Sequence, residues 1–228
     1  ANSGQVCASV ERVYAPESIH DELLEKVVEK TRELRQGNPN SYTTDVGAIC
    51  FPRQIDVARD LIDDAVEKGA KVRTGGARKE GDGMFFQPTV LEGVTQDMRI
   101  VHEEIFGPVL VVIGFDDDDE AIRIANESPY GLSGMITSAD LDRAKAVARR
   151  IRTGTLGING GIWYGADAPC GGYKGSGLGR ERVVAGPEIS TGTQNVGWPV
   201  VMLCSTATAA GPRLRLASFR LVDLVPSG

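Results

Sequence analysis

Histidine and cysteine are scarce in this chain, and their scarcity removes several chemistries at once. The two histidines, His20 and His102, stand far apart and form no H-x-x-x-H pattern, so no metal centre is expected. The four cysteines, Cys7, Cys50, Cys170 and Cys204, include no C-x-x-C pair. That excludes a zinc knuckle and a disulfide-dense framework and leaves free thiols in a reducing compartment. No apolar run reaches the ~20 residues of a membrane span, and no basic-then-apolar leader opens the sequence. Positive charge is not in excess either. The chain has 25 Lys and Arg against 31 Asp and Glu, a net charge of -6, which speaks against nucleic acid or an anionic membrane as partners. A cytoplasmic enzyme or binding domain is the class that remains.

What is present suits a folded domain: 228 residues with 41% hydrophobic content can bury a substantial core. Val10 to Ala15 predicts a short strand ending at Pro16. Helical spacing follows from Pro16 to Arg35, with Ile19, Leu23, Leu24, Val27, Val28, Thr31 and Leu34 on one side and Gly37 beyond the end. A second helix is predicted from Pro52 to Lys68, with Ile55, Val57, Ala58, Leu61, Ile62, Ala65 and Val66 as its apolar face. "AKVRTGG" reads as a strand and turn, and residues Ala77 to Gly83 as a solvent loop. "FFQPTVLEGV" and "GPVLVVIGF" are the best strand candidates, the second a continuous apolar run suited to a strand covered on both faces. Helix (Asp117 to Glu127), strand ("GLSGMITS"), helix (Leu141 to Ile151) and strand ("GTLGIN") then alternate. The expected fold class is α/β, a doubly wound, mostly parallel sheet with flanking helices. Residues 1–186 form that domain, 187–199 a polar β-like arm, and 200–228 an atypical tail.

Four stretches are candidate sites. In "NSGQVCAS" the small neighbours of Cys7 would let a carbonyl group approach the thiol and a backbone amide, although a lone cysteine is more often inert packing. In "VHEEIFGPVL" either Glu103 or Glu104 could bond a ribose diol and Phe106 could pack on a planar ring. The plainer reading is a charged edge followed by a core aromatic, with His102 equally suited to a solvated loop. The acidic run Asp116 to Asp119 lacks the alternation of a calcium loop and reads as a helix cap. "GGYKGSGLGRE" has neither the P-loop pattern nor the strand-to-helix setting of a dinucleotide fingerprint, and reads as a tight loop needing positive φ.

The order of "NSGQVCAS", "EEIFGPVL", "PYGLSG" and "APCGGYKGSGLGRE" resembles the second half of the aldehyde dehydrogenase superfamily, from the first residue to about Pro199. "TTDVGAI" and "FFQPTVL" match as well. The resemblance implies oxidation of a small aldehyde with NAD or NADP. Cys7 is then the nucleophile, passing through a thiohemiacetal and a thioester. Glu104 contacts the nicotinamide ribose and Phe106 packs near the nicotinamide. Tyr164 and Cys170 line the substrate entrance, where a bulky aromatic is more usual than Cys170, and Asn159 orients the pocket. The family's E-L-G-G glutamate base and its first-half dinucleotide domain have no counterpart in the sequence. The chain is therefore expected to be the catalytic-domain half, beginning just before its nucleophile and self-associating as a homo-oligomer. Two alternatives stand beside this: a cofactor-independent cysteine esterase or acyl-transfer hydrolase, and a catalytically silent fragment that keeps the fold.

Overall fold

Helices cover both faces of one sheet, as the apolar periodicity of strands and helices requires. The structure is a computed structural model and describes residues 2–38, 40–161, 168–181 and 194–197. In chain order its elements are β1 (Arg12–Pro16), α1 (Glu17–Arg32), α2 (Pro52–Glu67), β2 (Lys71–Thr74), β3 (Thr89–Glu92), α3 (Arg99–His102), β4 (Val109–Phe115) and α4 (Asp118–Glu127). There follow β5 (Ser133–Ile136), α5 (Leu141–Ala148), β6 (Thr155–Ile158), β7 (Cys170–Gly171), β8 (Arg180–Glu181) and β9 (Asn195–Gly197).

The first sheet has the order β1-β4-β3-β2. The β1–β4 and β3–β4 pairs are parallel and the edge pair β2–β3 antiparallel. Because side chains alternate across a strand, the apolar run of β4 serves two cores. Val109, Val111 and Ile113 join Leu91 of β3 in packing against Ile55, Leu61 and Ile62 of α2 and Ile100 of α3. Val112 and Val90 face the other way, with Ala15, onto Leu23, Leu24, Val27 and Val28 of α1. Each such large side chain contributes about 1.5–3 kcal/mol on burial, so the doubly covered strand holds the domain together.

The second part is a parallel sheet of order β5-β6-β9 with a β7–β8 hairpin beside it. Its smaller core joins Leu156 and Ile158 to Ala144 and Ala148 of α5. It is tied to α4 by polar bonds: Arg143 to Asp118 at 2.6 and 2.8 Å, Arg150 to Asp119 at 2.7 Å, and the Lys174 ammonium to the carbonyls of Asn126 and Ser128. The expected α/β layering is present, divided among the described residues into two larger sheets and the two-stranded β7–β8 hairpin.

Element ends depart from the periodic pattern where side chains capture the backbone. α1 stops at Arg32 rather than Arg35, because Arg35 turns to Asp45, donating its backbone N–H and two guanidinium N–H groups at 2.8–3.0 Å. Pro16 ends β1 with extended backbone (φ -54°, ψ 138°) rather than lying inside the first helical turn. α5 ends at Ala148 instead of Ile151. The four-residue α3 had no expected counterpart, being too short to show a period. Of the expected arm, residues 194–197 are described, with β9 lying on β6; the rest of the arm, the tail 200–228 and Cys204 lie outside the described residues. Among the described residues no helix is long and apolar enough to cross a membrane.

Candidate active site

Cys7 stands on a segment fastened to its surroundings. Ahead of it, Asn2, Ser3 and Gly4 all have positive φ (47°, 56° and 77°), a run that only dense local bonding sustains. That bonding is present. The Ser3 hydroxyl donates to the Gly47 carbonyl at 3.0 Å, and the Asn2 amide to the Gln5 carbonyl at 3.1 Å. The buried Gln5 side chain donates to the carbonyls of Asn2 (3.0 Å) and Ala48 (3.2 Å) and accepts the Cys50 N–H at 2.7 Å. The Ser9 N–H then closes a turn on the Val6 carbonyl at 2.8 Å. Cys7 is exposed on that turn, so the thiol-bearing residue is accessible while its base is fixed.

The loop Glu103 to Pro108 meets this segment from the other side. At Gly4 a Cβ would lie 2.0 Å from the Gly107 carbonyl oxygen, so only glycine permits this approach. The buried Glu11 carboxylate accepts the N–H groups of Ile105 (3.1 Å) and Phe106 (2.9 Å). Arg12 donates to the Glu103 carbonyl at 3.2 Å and Gln54 to the Ile105 carbonyl at 2.5 Å. Phe106 is held at φ 50°. Burial pushes the Glu11 carboxyl above its ordinary value; the Phe106 N–H, the Arg12 charge and the Ile105 N–H oppose the rise, and Glu104 adds slightly to it. β1 and β4 pair in parallel, with Arg12 opposite Val111. The two segments therefore emerge side by side at the amino ends of those strands.

The structure separates the two carboxylates that the sequence leaves equivalent. Glu103 is bound to Arg99 at 2.6 and 3.0 Å, which holds its carboxyl below the ordinary range. Glu104 is exposed and makes no hydrogen bond or salt bridge among the described residues. An exposed, uncommitted carboxylate next to a half-buried aromatic ring fits one end of a nucleotide, a ribose diol and its planar base. His102, on α3, contacts the Gln96 carbonyl through its imidazole at 2.5 Å, so it is tied to the backbone rather than free in a loop.

The other candidates lie on the second sheet. Asn159, at φ 53°, accepts the Ser138 N–H and donates to the Ser138 carbonyl, both at 2.8 Å. Its amide joins the loops after β5 and β6 and is occupied there. Cys170 is half-buried on β7, opposite Glu181. No described bond brings Asn159 or Cys170 to Cys7, and Tyr164 lies outside the described residues. In the glycine-rich stretch Lys174 has φ 55°. Its ammonium caps carbonyls at the end of α4, a favourable place for a cation, and burial lowers its pKa. The acidic run caps and pairs: Asp117 accepts the Glu120 N–H at 2.9 Å, while Asp118 and Asp119 bind Arg143 and Arg150. Among the described residues no cluster of three His, Cys, Asp or Glu side chains could hold a metal. Gln5 and Glu11 were not singled out from the sequence. The only signal for Glu11 was a charged pair, Glu11-Arg12, entering an otherwise apolar strand.

Comparison with known proteins gives consistent matches. The family model described as aldehyde dehydrogenase family matches residues 1–196. A succinate-semialdehyde dehydrogenase [NADP(+)] of Deinococcus radiodurans is 44% identical over 184 residues, which are 79% of this chain and 38% of that protein. Betaine aldehyde dehydrogenase of Bacillus subtilis is 38% identical over 199 residues, 86% of this chain and 41% of its own length. The crystal structure of betaine aldehyde dehydrogenase from Staphylococcus aureus in complex with NAD+ superposes with a TM-score of 0.78 at 38% identity, covering 82% of this chain and 38% of that one. The chain thus spans about two fifths of the length of these relatives.

Proposed function

The chain belongs to the aldehyde dehydrogenase family, and on that premise we propose that it carries the nucleophile and one wall of the nicotinamide site of an NAD- or NADP-dependent oxidation of a small aldehyde. The observation that carries this reading is the junction of an exposed cysteine turn with a loop presenting an uncommitted carboxylate, fixed together by Gly4, Glu11 and Arg12. The relatives named above, a dehydrogenase of succinate semialdehyde and dehydrogenases of betaine aldehyde, support the substrate class, and the NAD+ in the neighbouring crystal structure supports the cofactor.

In the proposed chemistry the Cys7 thiolate adds to the aldehyde carbon, making a thiohemiacetal whose oxyanion a backbone N–H of the turn can stabilise. Loss of hydride from that carbon gives a thioester on Cys7. Attack of water on the thioester then releases the carboxylic acid and returns the thiol. The nicotinamide supplies the hydride acceptor when bound. Glu104 would orient its ribose by accepting hydrogen bonds from the hydroxyls, and Phe106 would offer a flat apolar surface beside it. Tyr164, Cys170 and Asn159 belong to the same proposal as residues of the substrate side. For Asn159 the proposed role runs through the Ser138 loop that its amide holds. Self-association as a homo-oligomer and residence in the cytoplasm complete the reading, as does the division at 186 and 199.

The test is an aldehyde assay of the full chain with NAD+ and with NADP+, followed by intact-mass analysis for an acyl adduct. Reduction of the nicotinamide with an adduct on Cys7, both lost in Cys7→Ala, is the expected result. Reduction that survives Cys7→Ala would refute the assignment. Ester cleavage without any dinucleotide effect would favour a cofactor-independent hydrolase instead.

A further inference from the structure

We propose that Glu11 is a positioning residue: its buried carboxylate locks the Glu103–Pro108 loop, and with it the Glu104 side chain, against the turn that carries Cys7. This rests on the reading of Cys7 and Glu104 given above and names the group that joins them.

Glu11 lies four residues after Cys7, at the entrance to β1, and is 8% exposed. One carboxylate oxygen, Oε1, accepts two successive backbone N–H groups, those of Ile105 and Phe106. Successive amides converging on one anion make a small backbone nest, and the left-handed Phe106 belongs to that nest. The other oxygen, Oε2, stands 3.7 Å from an Arg12 nitrogen. That is beyond hydrogen-bonding distance, so the two amides are the direct partners of the charge. Arg12 in turn holds the Glu103 carbonyl, and Gly4 abuts Gly107. The loop is thus gripped on both sides of Glu104, by Arg12 at Glu103 and by Glu11 at Ile105 and Phe106. Among the described residues, Glu11 is the side chain that accepts amide N–H groups of the loop. A side chain of similar volume without an acceptor would leave two backbone donors unpaired, and unpaired buried donors force rearrangement.

That distinction gives the test. In the full chain, hydrogen exchange of the Ile105 and Phe106 amides is compared in wild type, Glu11→Gln and Glu11→Met, with Leu91 in the core as the reference for global opening. Dinucleotide binding is measured on the same samples by titration with NAD+ and NADP+. In Glu11→Gln an acceptor oxygen remains and protection is kept. In Glu11→Met the volume remains but protection of both amides falls about tenfold or more, the scale of a lost charge-assisted bond, while Leu91 stays protected. Dinucleotide affinity follows the same order, falling in Glu11→Met and rescued in Glu11→Gln, which mere filling of space would not produce. Equal protection in Glu11→Met and wild type overturns the proposal. So do unprotected Ile105 and Phe106 amides in wild type, a measurement that stands even if Glu11→Met fails to fold. Loss of protection in Glu11→Met with dinucleotide binding unchanged, or absent throughout, upholds the locking role of Glu11 and overturns the assignment of Glu104 to the nucleotide.

Discussion

Replacing Gly4 by alanine tests whether the cysteine segment and the Glu103–Pro108 loop are truly in contact. Two costs are separable. At φ 77° an L-residue is strained by about 1–2 kcal/mol. The new methyl would also lie 2.0 Å from the Gly107 oxygen, 2.4 Å from its carbonyl carbon and 3.1 Å from the Pro108 nitrogen. These neighbours are backbone and cannot rotate away, so relief requires moving a loop, an overpacking cost of about 1–3 kcal/mol. Gly93 provides the control. It has a similar φ of 68°, but its nearest neighbour stands 3.8 Å away, so Gly93→Ala should show the conformational cost alone. Gly4→Ala is therefore expected to lose about 2–5 kcal/mol and Gly93→Ala about 1–2 kcal/mol, read from urea unfolding of each variant. The rate of Cys7 alkylation by iodoacetamide should change in Gly4→Ala and not in Gly93→Ala, because only the first shifts the turn. A Gly4→Ala variant no less stable than Gly93→Ala, with unaltered Cys7 reactivity, would show that the two segments do not touch.

Three further outcomes follow from the same geometry. Asp117→Ala removes the side chain that accepts the Glu120 N–H and should cost about 1 kcal/mol in urea unfolding; an unchanged midpoint contradicts the capping role. The Asp45 carboxyl is held down to about 2 by hydrogen bonds from the Arg35 side chain and backbone. The stability it contributes is complete above the ordinary value of 3.8 and is lost as pH falls towards 2, so Asp45→Asn should flatten that acid limb, and an unaltered limb counts against it. Glu11 has the opposite sign, its pKa raised above 4.5 by burial despite the two amides and Arg12. The folded state then holds the proton longer than the unfolded chain, and stability falls as pH rises from 4.5 through the raised value. Glu11→Gln should remove that decline, gaining on wild type between acid and neutral pH; a difference independent of pH would refute the shift.

The parts of the fold that were legible are those where one physical pattern dominates. The apolar run of β4 reads as a strand covered twice, and Ile55, Ala58, Leu61, Ile62 and Ala65 fall on one buried helical face, whereas Val66, expected on that face, is exposed. The Asp116–Asp119 run was readable as a cap because its place between strand and helix leaves amide groups needing acceptors. What could not be read depended on partners distant in sequence. α1 ends early because Asp45 captures Arg35 across a ten-residue loop. Asn159 has its amide committed to Ser138, which no local pattern announces. Glu103 and Glu104 are alike in sequence and differ in structure through Arg99, one helical turn before Glu103.

The site itself is the sharpest case. Ligands of open α/β sheets ordinarily gather at the carboxyl ends of the strands, so element order alone directs attention to the end opposite the proposed site. Cys7 precedes β1 and Glu104 precedes β4, and about a hundred residues separate them. Parallel pairing of β1 with β4 places their amino ends together, and so must carry both preceding loops to the same edge. Pairing alone, however, would leave those loops free to diverge. Their junction needs a residue with no side chain at Gly4, an acceptor at Glu11 and a donor at Arg12, each facing backbone atoms of the opposite loop. Backbone recognised by side chains leaves little mark on the sequence of the recognised loop. For that reason the ordered motifs could identify Cys7 and Glu104 as candidates, while the group that joins them became visible only in three dimensions.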